Sequence, residues 1–99
     1  SIGMQDGGHN AVGIYHALAA HRAPPEYHVF PRHPLPLDRI AGLETPEIPP
    51  LLKGYMRAGA WVCGEPAWDP DFNTADLLLL LPMGRIDARY SKHFVERQA

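Results

Sequence analysis

The chain has 99 residues, of which 45% are hydrophobic and 20% charged, a composition ordinary for one small globular domain. A net charge of −2 gives no electrostatic reason to expect a nucleic-acid partner, and no apolar run approaches the roughly 20 residues that a transmembrane helix needs. Cys63 is the sole cysteine, which excludes an internal disulfide and makes a reducing cytoplasm the expected location.

The first predicted element is a helix from about residue 9 to residue 21. Its apolar positions recur at helical spacing and lie on one face: Ala11, Ile14, Tyr15 and Leu18. Asp6 and Asn10 compete to accept hydrogen bonds from the first amide groups of this helix. Pro24 and Pro25 end it, because a proline disfavours helical conformation in the residue before it.

The middle of the chain is rich in proline. Most of the eleven prolines lie between Pro24 and Pro50, so this part can hold little regular structure. The pattern predicts one short strand at residues 27–30 and a helical turn at residues 37–40. We interpret residues 31–49 as a proline-rich connection, and a connection this long is usually functional or mobile.

A second helix is predicted over residues 50–58. Pro50 suits the first helical position, where the missing N–H costs nothing. Leu52, Tyr55 and Met56 share an apolar face, and Gly59 is placed for a left-handed helix cap.

Two strands are predicted after Gly59. Residues 60–63 are short, apolar and rich in β-forming types, and the leucine run 77–81, closed by Pro82, favours a strand buried on both faces. The loop between them is short, so residues 60–68 and 75–81 should pair antiparallel. We therefore predict an α/β fold of the α+β kind, with helices packed on a small, mostly antiparallel sheet.

The last predicted element is a short helix that begins at Asp87, a residue type favoured at helix N-caps. Tyr90 and Phe94, spaced i and i+4, would dock this helix on the core. Residues 96–99 are expected to fray.

The segment Tyr55-Met56-Arg57-Ala58-Gly59 followed by Ala60-Trp61 resembles the Tyr-x-x-x-Gly-aromatic signature of the GNAT acyltransferase superfamily. The longer string GYMRAGAWVCGEPAWDPDFNTADLLLLLP resembles the hemolysin-like acyltransferases related to ornithine-lipid synthesis. The segments SIGMQDGGHNAVGIYHAL and PPEYHVFPRHPLPLDRI are similar to the same family. The resemblance covers nearly the whole chain and implies the C-terminal portion of a GNAT fold.

The resemblance also implies a function. Enzymes of this family move a 3-hydroxy fatty acyl group from acyl carrier protein to the α-amino group of ornithine. It implies an N-acyltransferase with acyl carrier protein as partner, acyl-ACP or acyl-CoA as co-substrate and no bound cofactor, in the cytoplasm or peripheral to the inner membrane. Two alternatives stay open: a non-catalytic lipid- or protein-binding module on this scaffold, and an acyl-homoserine-lactone-synthase-like enzyme.

Because the resemblance reaches only the family's C-terminal part, residues 1–99 are expected to form a single-domain fragment. The glycine-rich cradle for the carrier's phosphates and about half the sheet would lie upstream. We expect this piece alone to be inactive, with residues 60–63 exposing an unpaired strand edge. Such an edge favours self-association, with a mobile region at residues 32–49 as the alternative.

Tyr55 is the candidate catalytic residue. When an amine attacks a thioester, the leaving sulfur needs a proton, and a phenol held nearby can supply it. The resemblance places Tyr55 where many GNAT enzymes carry that acid. The alternative is that Tyr55 is a core residue with its hydroxyl at the edge.

Asp71 and Asn73 are the candidate substrate-binding residues. With Asp69 they mimic the start of an EF-hand loop, but Thr74 and Leu80 stand where calcium binding needs glycine and glutamate. These side chains are favoured as turn formers that bond their own backbone. The second interpretation is that a carboxylate here holds the side-chain ammonium of ornithine.

Lys53 and Arg57, together with Arg32 and Arg39, are candidates for contact with an acidic acyl carrier protein; the alternative is a solvated basic face. No metal site is expected, because the six histidines lack ligand spacing. Cys63 lies in a strand pattern, which favours a small buried apolar residue over a nucleophile.

Overall fold

The computed structural model describes residues 1–82 and 94–98, in which the chain forms two α-helices and five β-strands. The helices are α1 (His9–Ala17) and α2 (Pro50–Arg57), and short 3₁₀ turns lie at Ala19–His21 and Pro25–Tyr27. The strands are β1 (Ile2–Gly3), β2 (Trp61–Val62), β3 (Ala67–Asp69), β4 (Thr74–Leu81) and β5 (Phe94–Gln98).

Strand β4 lies at the centre of the sheet and pairs antiparallel with the four other strands. Ala75 pairs with β1 on one side and with β3 on the other, and Leu79 likewise pairs with β5 and with β2. β1 and β5 therefore lie along one edge of β4, and β2 and β3 along the other. The α+β architecture and the predicted antiparallel pairing are confirmed.

The leucine run supplies both faces of the sheet, because successive side chains of a strand point to opposite sides. Leu77 and Leu79 join the main core, to which α1 and α2 contribute Ile14 and Leu52. Leu80 joins a smaller cluster on the other face, with Ala23 and Cys63 as its buried members. The prediction of a strand buried on both faces is confirmed, with Leu78 half-buried.

Helix α2 begins and ends as its sequence predicts. Pro50 is its first residue, and Leu52 is buried while Tyr55 and Met56 pack against the core. Gly59 adopts φ 91°, a conformation that only glycine enters without strain. The Gly59 and Ala60 N–H groups donate to the Met56 and Tyr55 carbonyls at 3.1 and 3.0 Å, which satisfies carbonyls that the helix end leaves free.

Helix α1 ends earlier than predicted, at Ala17, and continues as the 3₁₀ turn to His21. Asp6, not Asn10, satisfies its first amides: the Asp6 carboxylate accepts from the Gly8 and Asn10 N–H groups, each at 2.8 Å. The hydrogen bond from Asn10 is the main reason that the pKa of Asp6 lies below its ordinary value.

The outer edge of β2 and β3 is covered by residues 22–35, which corrects two expectations. Ala23 and Val29 donate their N–H groups to the Val62 and Cys63 carbonyls at 2.9 and 3.0 Å. Residues 60–63 therefore do not expose an unpaired edge, and self-association through that edge loses its basis. Residues 27–30 form no strand of their own, since Pro25 and Pro31 cannot donate ladder hydrogen bonds and Pro25–Tyr27 forms a 3₁₀ turn instead.

The chain end also differs from expectation. The predicted helix start at Asp87 and the docking residue Tyr90 lie outside the described residues. Phe94, however, begins strand β5, which pairs with β4 from Leu77 to Leu81, so residues 94–98 are neither helical nor frayed. The physical reason is that the edge of β4 left open beyond β1 offers a ladder of backbone groups, and these outweigh local helix preference.

Residues 31–49 contain no helix or strand, although a turn at residues 36–39 lies where a helical turn was predicted. The second half of this segment is hydrogen-bonded to α1. Asn10 donates to the Glu47 carbonyl at 3.0 Å and accepts from the Glu47 N–H at 2.7 Å. Gly42 lies against Gly13, where a Cβ on Gly42 would come within 2.9 Å of the Gly13 nitrogen.

None of the helices in the described part of the chain has the length and apolar character needed to cross a membrane.

Candidate functional site

A cleft of about 540 Å³ opens between residues 31–33 and the β3–β4 turn. Backbone hydrogen bonds between residues 33–35 and the outer edge of β3 hold the two walls together. The Trp68 N–H donates to the His33 carbonyl at 2.7 Å, and the Leu35 N–H donates to the Pro66 carbonyl at 2.9 Å. We call this the acidic cleft. Its lining residues are Pro31, Arg32, His33, Ala67, Trp68, Asp69, Pro70, Asp71 and Asp76.

The charges of the acidic cleft are mixed. Asp69, Asp71 and Asp76 supply three carboxylates, and Arg32 supplies a guanidinium. Carboxylates accept hydrogen bonds from an ammonium group, and a guanidinium donates a pair of hydrogen bonds to a carboxylate. The cleft therefore has the groups that bind a small zwitterion with an additional positive charge.

The turn that carries Asp71 is fixed by its neighbours. The Asp69 carboxylate accepts from the Asp71 and Phe72 N–H groups at 3.0 and 3.2 Å, as a side chain does when it closes a turn. Asn73 completes the turn with φ 52°, a left-handed conformation that asparagine tolerates. The prediction of turn chemistry is confirmed for Asp69, while the Asp71 side chain is exposed at the cleft.

A smaller apolar cleft of about 190 Å³ adjoins the acidic cleft, with which it shares Pro31, Ala67 and Asp76. Val29, Leu77 and Leu78 make up most of the rest of its lining, and Glu65 adds a carboxylate. Hydrocarbon binds such a lining because burial removes apolar surface from water. The joined clefts thus offer a charged compartment next to an apolar one.

The structure does not bring all the predicted site residues together. Asn73 lines a separate cleft of about 280 Å³ with Met4, Leu35 and Trp68, and its carbonyl accepts from the Met4 N–H at 3.0 Å. Tyr55 lines neither the acidic nor the apolar cleft; it packs half-buried against the main core.

Lys53 and Arg57 are both exposed on α2. Lys53 lines a fourth cleft, of about 640 Å³, between β1 and residues 46–50. Arg32, grouped with them in the sequence, lies instead in the acidic cleft.

Sequence reasoning named Asp71, which lines the acidic cleft, but it did not name Trp68 or Asp76, and it grouped Arg32 with the candidates for carrier contact. The sequence could have placed Asp76 at the cleft, since Asp76 stands two residues before Leu78 and therefore shares a strand face with it. No pattern in the sequence places Arg32 and His33 there, because these residues reach the cleft only through pairing with β3.

Cys63 is buried, and burial raises the pKa of its thiol. Its Sγ–H donates to the Trp61 carbonyl at 3.8 Å. A neutral, buried thiol is a poor nucleophile, which agrees with its prediction as a small apolar residue. Within residues 1–82 and 94–98, no group of three or more His, Cys, Asp or Glu side chains is arranged to hold a metal ion.

Three curated proteins named L-ornithine N(alpha)-acyltransferase resemble this chain. The protein of Rhizobium meliloti (strain 1021) is 47% identical over 47 residues, which cover 48% of this chain and 16% of the relative. That of Agrobacterium fabrum (strain C58 / ATCC 33970) is 38% identical over 66 residues, 63% of this chain and 22% of the relative. That of Brucella abortus (strain 2308) is 40% identical over 47 residues, which cover 48% of this chain and 17% of the relative.

The chain thus spans less than a quarter of the length of these relatives. No family model matches it, and no solved structure matches it. The similarity to the three relatives supports an ornithine acyltransferase-like family.

Proposed function

We propose that this chain belongs to an N-acyltransferase that moves a fatty acyl group from a thioester to the α-amino group of ornithine or a similar acceptor. The main support for this proposal is the 38–47% identity of the chain to three relatives that are all named L-ornithine N(alpha)-acyltransferase. Because the relatives are several times longer, the proposal concerns a protein of their length. Acyl carrier protein is the proposed donor, with acyl-CoA as the alternative.

The joined clefts support this proposal, because the product of such a transfer is an amphiphile. Its amino-acid part carries a carboxylate and a side-chain ammonium, and its acyl part is a hydrocarbon. In the acidic cleft, Asp71 would hold the ammonium and Arg32 the carboxylate. The acyl chain would extend toward Leu77 and Leu78 in the apolar cleft. Asn73 acts in this scheme by holding the turn that presents Asp71.

The chemistry forms one bond and breaks one. The neutral α-amine attacks the thioester carbonyl, an N–C bond forms, and the C–S bond breaks as the tetrahedral intermediate collapses. The nitrogen loses a proton and the departing sulfur gains one. Tyr55 is the proposed donor of that proton, as a hypothesis separate from the assignment of the acidic cleft, since Tyr55 packs against the main core and does not line that cleft.

The order of elements supports the proposed GNAT scaffold. Helix α2 is followed by Gly59 in its left-handed conformation, strand β2, a turn-rich segment that contains the short strand β3, and strand β4, an order that agrees with the closing unit of that fold. The phosphate cradle of the scaffold would come from a part of the protein upstream of this chain. Lys53 and Arg57, both exposed on α2, are the proposed contacts for an acidic carrier protein.

The test is an acyl-transfer assay on a protein as long as the relatives, with loaded acyl carrier protein and ornithine, read by product mass. Appearance of N-acyl-ornithine supports the proposal, and we expect the 99-residue chain assayed beside it to give none. A product from S-adenosylmethionine in place of ornithine would favour an acyl-homoserine-lactone-synthase-like enzyme. Absence of transfer by the longer protein to either acceptor would leave a binding module.

A further inference from the structure

Asp76 lies where the acidic cleft and the apolar cleft meet. Three of the described residues line both clefts, namely Pro31, Ala67 and Asp76. Asp76 is the charged one of the three, whereas Glu65 lines only the apolar cleft. Within the described part of the chain, one carboxylate therefore marks the boundary between the charged compartment and the apolar compartment.

Strand β4 places the Asp76 side chain on the same face as part of the apolar lining. Ala75 and Leu77 belong to the main core, so Asp76 between them points to the opposite face of the strand, which it shares with Leu78. The partner of Asp76 across β3 is Ala67, whose small side chain leaves room above the strand pair. Asp76 is half-buried, so a charged ligand group that reaches it is partly shielded from water, which strengthens the attraction.

The charged groups of the acidic cleft match an amino acid with two ammonium groups. The Asp69 carboxylate accepts hydrogen bonds from two N–H groups of its own turn. Besides Asp69, the lining carries two carboxylates, on Asp71 and Asp76, and one guanidinium, on Arg32. Ornithine has two ammonium groups and one carboxylate, which is the complementary set of charges.

The bond that the proposed reaction makes decides which ammonium group belongs at Asp76. In the product, the amide nitrogen joins the amino-acid part to the acyl chain. With the amino acid in the acidic cleft and the acyl chain in the apolar cleft, this nitrogen lies at the boundary, where Asp76 also lies. Asp71 lines the acidic cleft but not the apolar one, which suits it to the side-chain ammonium.

We propose that Asp76 holds the α-ammonium group of the acceptor and thereby selects the α-nitrogen, rather than the side-chain nitrogen, for acylation. This inference rests on the proposed function and adds a residue to it. The Asp76 carboxylate accepts a hydrogen bond from the α-ammonium group. One N–H bond then breaks, its proton passes to the carboxylate, and the freed lone pair attacks the thioester carbonyl.

The experiment titrates three amino acids into a protein as long as the relatives, with calorimetric detection and no acyl donor. Ornithine has both ammonium groups, norvaline lacks the side-chain one, and δ-aminovalerate lacks the α one. Asp76→Asn should bind ornithine and norvaline roughly ten-fold or more weakly and leave the affinity for δ-aminovalerate unchanged. Asp71→Asn should instead weaken ornithine and δ-aminovalerate and spare norvaline.

The matched control is Asp38→Asn, which lies outside both clefts and should change none of the three affinities. Asp76→Glu keeps the charge and should recover part of the affinity for norvaline. A purely structural role of Asp76 would weaken the three ligands together. Equal losses for all three, unchanged affinity of Asp76→Asn for norvaline, or failure of the unchanged protein to bind ornithine therefore overturns the proposal.

The position of the amide in the product supplies a second readout. In the acyl-transfer assay, Asp76→Asn should form less α-acylated product and a larger share acylated on the side-chain nitrogen. Acylation of the α-nitrogen by this variant at the unchanged rate contradicts the role of Asp76 and leaves the proposed function intact. Absence of transfer by the unchanged protein, with the binding pattern as expected, counts against the proposed function alone.

Discussion

Substitution of Leu79 by alanine tests how β4 lies in the sheet. Leu79 is fully buried, at 0% exposure, in the main core to which α1 and α2 also contribute, and it pairs with both β2 and β5. Alanine removes three carbon atoms, worth roughly 0.8 kcal/mol each, and leaves a cavity that adds to the loss. We expect the free energy of unfolding to fall by about 3–4 kcal/mol, a large part of the roughly 5–15 kcal/mol of a small domain.

Leu78 is the matched control. It is half-buried on the opposite face of the same strand, so Leu78→Ala should cost only about 1–2 kcal/mol. Urea unfolding followed by circular dichroism measures both, with the slope of the free energy against urea unchanged. Because a shift of register by one residue exchanges the two faces of a strand, equal costs or a larger cost at Leu78 would refute the described register.

Three further predictions concern the site and the first helix. Asp6→Asn should lower stability by about 0.5–1 kcal/mol near neutral pH, because it removes the negative charge and one of the two carboxylate oxygens that accept hydrogen bonds at the start of α1. Because folding lowers the pKa of Asp6, the stabilisation from its carboxylate is complete above the ordinary Asp pKa and is lost as pH falls through the lowered folded value. The free energy of unfolding of Asp6→Asn, measured by urea unfolding, should therefore fall less in acid than that of the unchanged chain. An unchanged acid dependence would contradict the role of Asp6 at the start of α1. In a protein as long as the relatives that has the proposed activity, Asp71→Asn should raise KM for ornithine roughly ten-fold or more with little change in kcat. Asp38→Asn, outside the cleft, should leave KM unchanged, and equal KM values for the two variants would remove Asp71 from substrate binding. Tyr55→Phe should lower kcat roughly 10²-fold or more with little change in stability, and unchanged turnover would leave Tyr55 a packing role alone.

Local signals predicted the parts of the fold that local forces determine. Pro50 begins helix α2 because its fixed backbone angle suits the first helical position. Gly59 follows the end of the helix because the left-handed conformation needed there suits glycine. The leucine run had a strand's length and flanking breakers, and the structure buries it on both faces. Asp69 caps its turn through bonds to its own neighbours, which sequence alone specifies.

The parts that sequence reasoning missed depend on partners far along the chain. Residues 27–30 were predicted to form a strand, but in the structure they form none: Tyr27 and His28 donate to the Pro24 and Pro25 carbonyls, and Val29 donates to the Cys63 carbonyl. Phe94 was predicted on a helix, but pairing with β4 makes it part of a strand. Arg32 and Asp71 line the same cleft only because His33 and Trp68 pair, and no spacing in the sequence encodes that arrangement.

The activity proposed for a protein as long as the relatives is acylation of the α-amino group of an ornithine-like acceptor. Mass spectrometry of the products that such a protein forms from loaded acyl carrier protein and isotope-labelled ornithine tests this activity. We expect a labelled product heavier than ornithine by one acyl group, with the amide at the α-nitrogen, and much less of it from Asp71→Asn at limiting ornithine. Acylation absent under these conditions, or located at the side-chain nitrogen, would rule out the proposed activity.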